Sequence, residues 1–232
     1  AMRIRILGTR GEIEESAPYH SRHSGILIDD TLMVDLGERE FLDLRPKAVL
    51  ITHLHPDHAY FVRTGTQRPP AGLPIVAPEP YRDYDLRLLE GPETIAGFDI
   101  RPVPTHHSLK VVSQAYLIGR GPKRILYTGD MIWINKEYHP LLEGLDLVIT
   151  EASYVRKGGL VKRDRETGRI YGHRGLPDLL HLFKDYCRRI VLVHFGAWFY
   201  QDVRGARAQI RALARANGVL AEAGRDGQVI VV

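Results

Sequence analysis

Between Thr52 and His58 the chain reads THLHPDH, three histidines and an aspartate within six residues. Residues 48–51 just before it, AVLI, are a continuous apolar run, as expected of a strand covered on both faces. A buried strand that ends in crowded imidazoles must deliver them to an edge of its sheet, because side chains this polar are not buried without partners. The same grammar recurs three times. Asp130 follows RILYT (124–128), Glu151 follows LDLVIT (145–150) and His194 follows RIVLV (189–193), each within two residues. Ligand sites of α/β sheets gather at the carboxyl ends of strands, so these residues are expected to converge on one edge.

The remaining pattern supports a mixed α/β chain with antiparallel hairpins early and helix-connected strands later. RIRIL (3–7), GILID (25–29) and TLMVDLG (31–37) read as strands, the last two joined by a tight turn at Asp29-Asp30. Leu176, Leu179, Leu180 and Phe183 recur at helical spacing, as do Val203, Ala206, Ile210 and Leu213, with Gly218 as a C-terminal cap. QVIVV (228–232) closes the chain as a strand. No repeat or linker divides the 232 residues, so a single domain spanning 1–232 is expected.

Composition narrows the function classes. No run of about 18 apolar residues offers a membrane span. The lone Cys187 excludes an internal disulfide and suits a reducing, cytoplasmic setting; it reads as a packing residue. A net charge of +4 does not by itself imply nucleic acid.

The polar clusters point to metal. His53 and His55, two apart on an extended segment, share a face and can reach one ion. Asp57-His58 follows Pro56 and is expected to open a helix that turns toward a second point. His106 or His107, in VPTHHS (103–108), can complete a three-histidine site. Imidazole with carboxylate suits zinc, manganese or iron, and the absence of thiolates argues against a structural zinc knuckle. Taken singly, Asp130 reads as a turn residue and His194 as a core histidine; in this order and company they read as ligands.

HLHPDH resembles the HxHxDH signature of the metallo-β-lactamase superfamily. His107, Asp130 and His194 follow in that superfamily's motif order, and Asp35 in VDLG matches its early aspartate. The resemblance implies a four-layer αβ/βα sandwich with two divalent metal ions at one edge. Carried over, His53, His55 and His107 would bind one ion, the family's H-S pattern favouring His107 over His106. Asp57, His58 and His194 would bind the other, with Asp130 bridging and Asp35 orienting a ligand imidazole. Two ions about 3.5–4 Å apart can share a hydroxide and clamp attacking and leaving oxygens. Asp57 would hold that hydroxide in line. The family's usual glycine shortly after DH is delayed here to Gly65.

The later segment YGHRGLPDLLHLFKDYCRRIVLVHFG resembles the phosphodiesterase-like branch, which includes ribonuclease Z and the cyclic-phosphate phosphodiesterase of phosphonate breakdown. There the histidine matching His173 faces the scissile phosphate, and it would steady charge or protonate the leaving oxygen. Glu151 reads as structural support for the site. The run VRKGGLVKRDRETGR (155–169) carries six Lys/Arg against Asp164 and Glu166, which suits a solvated loop or one that draws a phosphate inward. Neither relative's own activity transfers. The phosphonate enzyme has a further histidine where this chain has Ala197-Trp198, and a cysteine-rich zinc site without counterpart here. The protruding arm of ribonuclease Z is also missing.

The expected reaction is therefore hydrolysis of a small phosphodiester or nucleotide-like substrate by two divalent ions, zinc first, with manganese or iron as alternatives. RNA and a second copy of the chain are further partners that the resemblance implies; a membrane is not. A carbon-ester, thioester or lactone hydrolase on the same ions is the main rival. A non-catalytic RNA- or partner-binding module is another. A flavodiiron-type protein is disfavoured, since it places glutamate where this chain has His55.

Overall fold

The computed structural model describes residues 1–232. Two sheets dominate. The first contains β1 (Arg3–Gly8), β2 (Gly25–Ile28), β3 (Leu32–Val34), β4 (Ala48–Leu50) and β5 (Ile75–Val76). The second contains β6 (Glu93–Ile95), β7 (Phe98–Pro104), β8 (Gln114–Arg120), β9 (Lys123–Tyr127) and β10 (Leu147–Ala152). β11 (Leu160–Arg163) and β12 (Ile170–His173) form a separate hairpin, while β13 (Arg189–Phe195) and β14 (Leu220–Ala223) extend the second sheet. β15 (Val229–Val231) returns to the first sheet, whose order is β15-β1-β2-β3-β4-β5. The second sheet is ordered β14-β13-β10-β9-β8-β7-β6. As expected from the sequence, the early pairings are antiparallel and β9, β10, β13 and β14 run parallel.

Strand alternation sorts the core into three stacked layers. Ile4, Ile6, Ile26, Ile28, Val34 and Leu50 face Ile118, Ile125, Tyr127, Ile149 and Val191 across the space between the sheets. The alternate residues of the second sheet, such as Leu117, Leu126, Val148 and Leu192, pack on α1 (Leu176–Phe183), α2 (Ala197–Gln201) and α3 (Val203–Asn217). The alternate residues of the first sheet, Leu27, Met33 and Val49, pack under Phe41, Tyr60 and Phe61. These belong to short 3-10 helices, Arg39–Leu44 and Tyr60–Val62, so the outer layer on this side is built of tight turns and coil instead of α-helix. This is the four-layer arrangement anticipated above, thinned on one face.

Most anticipated elements are present. Asp29 and Asp30 both adopt left-handed φ in the β2–β3 turn, and α3 ends at Gly218 in the left-handed region. Cys187 is buried. Two expectations need correction. Asp57-His58 does not open an α-helix: a single turn closes on His55 O, and the backbone at His58 and Tyr60 is then captured by Leu36 at 2.7 and 2.8 Å. A helix cannot continue while its backbone is committed to a bridge. The basic run is likewise not an open loop, because it contains β11, which pairs with β12 in the hairpin that carries His173. No helix is long and apolar enough to cross a membrane.

Candidate metal centre

The site lies where the two sheets meet. Arg10, beyond β1, bridges to Phe195 at the end of β13, with Phe195 N donating to Thr9 O at 2.8 Å. β13 leaves its register with β10 here: Val193 pairs with Glu151 and Phe195 with Ala152, so His194 is an extra residue, held at φ 55°. A bulge of this kind re-aims a side chain, and His194 is thereby turned into the cleft.

Two clusters form around the shared Asp130. One ligand atom each of His53, His55 and His107 lie within 4.8 Å of one another, and the same holds for Asp57, His58, Asp130 and His194. Asp130 Oδ2 is 3.5 Å from His53 Nε2, 3.6 Å from His107 Nε2 and 3.3 Å from His194 Nε2, while Oδ1 is 3.2 Å from His58 Nε2. The structure therefore gathers all seven residues expected from the sequence, and chooses His107. His106 instead turns away to Asn135 Oδ1 at 2.8 Å.

The ring orientations are set from behind. Asp35 Oδ2 accepts from His58 Nδ1 at 2.6 Å, and Thr52 Oγ1 donates to Asp35 while lying 3.0 Å from His53 Nδ1. His107 Nδ1 donates to Gly172 O at 2.7 Å, and Ser153 Oγ lies 2.7 Å from His194 Nδ1. In each of the four rings Nδ1 is engaged from behind and Nε2 is turned to the cluster, where that of His194 meets Asp57 Oδ2 at 2.8 Å. Burial pushes His107 down to about 2, against the pull of Asp130. Burial, with His53 adding, lowers His55 to about 4. These two rings are therefore neutral lone-pair donors. Burial opposes charge on His58 and His194 too, but Asp130 and Asp57 outweigh it and raise both. The same attraction holds Asp57 and Asp130 well below the usual carboxylate range despite their burial.

The donor set fits divalent cations. Nε2 of His53, His58 and His107 and Oδ1 of Asp130 are buried without a hydrogen-bond partner, a costly condition unless something else satisfies them. Two carboxylates at ligand positions and a third, Asp35, directly behind them add negative charge that a pair of dications would balance.

His173 stands beside this cluster. Its ring centroid is 4.7 Å from that of His107, and its Nδ1 donates to Glu151 Oε2 at 2.6 Å. Glu151 is buried and also accepts from Met131 N at 2.9 Å. Burial disfavours a charged His173, but Glu151 overcomes this and raises it to about 9. The role of Thr52, Ser153 and Gly172 behind the ligands was not legible in the sequence. Adjacency alone flags Thr52, whereas Ser153 and Gly172 carry no local signal. A cavity of about 560 Å³ opens on the cluster and continues past Tyr154, Arg156 and Trp198.

The family model described as the β-lactamase superfamily domain matches residues 38–195. The chain belongs to the metallo-β-lactamase superfamily of metal-dependent hydrolases, and its cluster is one that can hold metal ions. Solved structures share the fold. The metallo-β-lactamase fold protein YhfI from Bacillus subtilis is 20% identical, with a TM-score of 0.71 over 99% of this chain and 98% of that one. A diphosphatase from the PhnP family is 14% identical, with a TM-score of 0.66 over 100% and 98%. The short form of human tRNase Z is 18% identical, with a TM-score of 0.61 over 99% and 99%. No curated protein matches the sequence significantly.

Proposed function

We propose that this chain is a phosphodiesterase that works with two divalent ions, zinc by preference. His53, His55 and His107 would hold one ion and Asp57, His58 and His194 the other, with Asp130 between them. The ions would supply Lewis acidity and an activated water. The observation that carries the phosphodiester reading is the Glu151–His173 pair set against the cluster, His173 Nδ1 being bound at 2.6 Å. Its Nε2 is the ring nitrogen left for substrate. There it can donate a proton to the leaving oxygen or steady charge on a phosphoryl oxygen. Asp57, which lines the cavity 2.8 Å from His194 Nε2, would orient the attacking water and take its proton. A small phosphodiester or nucleotide-like molecule suits a cavity of this volume. The fold shared with a diphosphatase and a tRNase supports the same class.

The test is hydrolysis of bis(p-nitrophenyl) phosphate by protein stripped of metal and reloaded with zinc or manganese, alongside a lactone and a thioester. Turnover should require metal and fall sharply in His173→Ala. Cleavage of the carbon esters alone, indifferent to His173, would favour a carbon-ester hydrolase on the same ions.

A further inference from the structure

We propose that the part of the cleft beyond the metal cluster receives a planar aromatic ring on the substrate, with Trp198 and Tyr154 as its wall and Arg156 as the cation that meets the phosphoryl charge. The inference rests on the phosphodiesterase reading and names its substrate class.

The wall is built into the strand ends. β13 turns into α2 at Gly196, where an added Cβ would stand 2.1 Å from Ser153 O. Only glycine lets the two backbones meet so closely, and this contact sets Trp198 over the end of β10. The indole N–H donates to Ala152 O at 2.8 Å. The ring is thereby pinned with its one donor spent, so what it can offer a ligand in the cleft is a π surface. Tyr154 follows β10 on the same side, its carbonyl tied to Leu176 N at 2.8 Å and its ring 5.8 Å from that of His173. An ester group on a phosphate held at His173 would therefore extend into a cavity that both aromatic residues line.

Charge agrees with this placement. Apart from the cluster and the neighbouring His173, the charged residues lining the cavity are Glu12 and Arg156. Glu12 is bound by Arg63 at 2.9 and 3.0 Å. Arg156 has no carboxylate partner; its Nε donates to Gly159 O at 3.0 Å, and its guanidinium carbon is 5.8 Å from the Tyr154 ring centroid. A free guanidinium beside an aromatic wall, at the mouth of an anion-binding centre, matches an aryl or nucleobase-bearing phosphoester.

The chain has two tryptophans, and Trp133 packs elsewhere, against His139. Trp133→Phe thus leaves Trp198 as a single reporter. Zinc-loaded protein is titrated with phenyl phosphate, adenosine 5′-monophosphate and ribose 5-phosphate, with affinity from calorimetry and Trp198 emission in parallel. The aromatic probes should bind roughly tenfold tighter than ribose 5-phosphate and change the emission. Preference for both aromatic probes assigns the wall to aryl groups in general; preference for the nucleotide alone assigns it to a nucleobase. Trp198→Ala in the otherwise natural chain should abolish the preference, and Arg156→Gln should weaken all three probes. Equal affinities for the three probes, or an unmoved Trp198 emission at saturation, would overturn the proposal. Bis(p-nitrophenyl) phosphate turnover is scored separately. Aromatic preference without turnover refutes the reaction and keeps the wall, whereas turnover without preference does the reverse.

Discussion

Asp35 accepts the Nδ1 proton of His58 at 2.6 Å from a position with no solvent exposure at all. The same carboxylate accepts from Thr52 N at 2.8 Å, from Thr52 Oγ1, and from the Tyr127 hydroxyl at 3.2 Å. One buried aspartate thereby locks the tautomer of His58 directly and that of His53 through Thr52. Its neighbours in the chain are strand residues, yet Asp35 itself sits at φ 63°, a conformation that costs energy and persists where surrounding contacts over-determine it.

Asp35→Asn should weaken metal binding by about 10–100-fold, the usual cost of losing such a support. An asparagine amide cannot accept from all of these donors at once. Competition against a chromogenic chelator measures this, and an unchanged zinc affinity would show that Asp35 does not orient the ligands.

Metal removal should cost stability. Each ion at about a hundred times its dissociation constant adds about 2.7 kcal/mol, which for a chain of this size moves the melting midpoint by about 5–10 °C per ion. Differential scanning calorimetry with and without chelator reads the shift. A midpoint indifferent to chelator would mean that the orphaned Nε2 atoms are not satisfied by metal.

Gly129→Ala should destabilise the fold by about 1–3 kcal/mol. The residue has φ 61°, and its added Cβ would lie 2.6 Å from Thr52 Oγ1, the hydroxyl that links Asp35 to His53. Urea denaturation gives the change in stability, and chelator competition should show weakened metal binding in the same variant.

Glu151→Gln should lower kcat on a phosphodiester by about tenfold or more while leaving KM nearly unchanged. The amide can still fill the space but no longer holds a charged His173. A matched rise in KM with kcat preserved would instead make Glu151 part of substrate binding.

His20 predicts a pH effect away from the metals. Burial, reinforced by Arg207 and Arg225, lowers its pKa to about 4. Arg207 Nη2 lies 2.6 Å from His20 Nε2, His20 Nδ1 lies 2.9 Å from Thr9 Oγ1, and Thr9 donates to Asp226. The neutral ring accepts from Arg207 and donates to Thr9. The unfolded chain binds a proton at His20 below about pH 6.5, where the native chain does not, so this stability is lost as pH falls from about 6.5 to 4. His20→Gln should flatten the loss across that window in urea midpoints measured against pH; an identical slope would remove His20 from the account.

Much of the centre was legible because local patterns encode it. His53, His55, Asp57 and His58 lie within one short segment. Asp130 and His194 follow strands whose apolar runs announce burial on both faces. The hairpin was harder to see: β11 (LVKR) and β12 (IYGH) are partly exposed and show no apolar alternation, and backbone bonds such as Gly172 N to His107 O tie the hairpin to the site. The turn at Asp57-His58 escaped for a related reason, since its backbone is taken by Leu36, more than twenty residues away in sequence.

The sequence alone determined the ligand chemistry, the strands that carry it and the edge where it gathers, because residue type, spacing and apolar periodicity act over a few neighbours. Only the tertiary structure decided the choice of His107 over His106, the re-aiming of His194 by a bulge, the pairing of Glu151 with His173 and the placing of Trp198 and Tyr154 along one cavity. Each of these depends on the register between segments distant in the chain, and register is set by the packing of whole sheets.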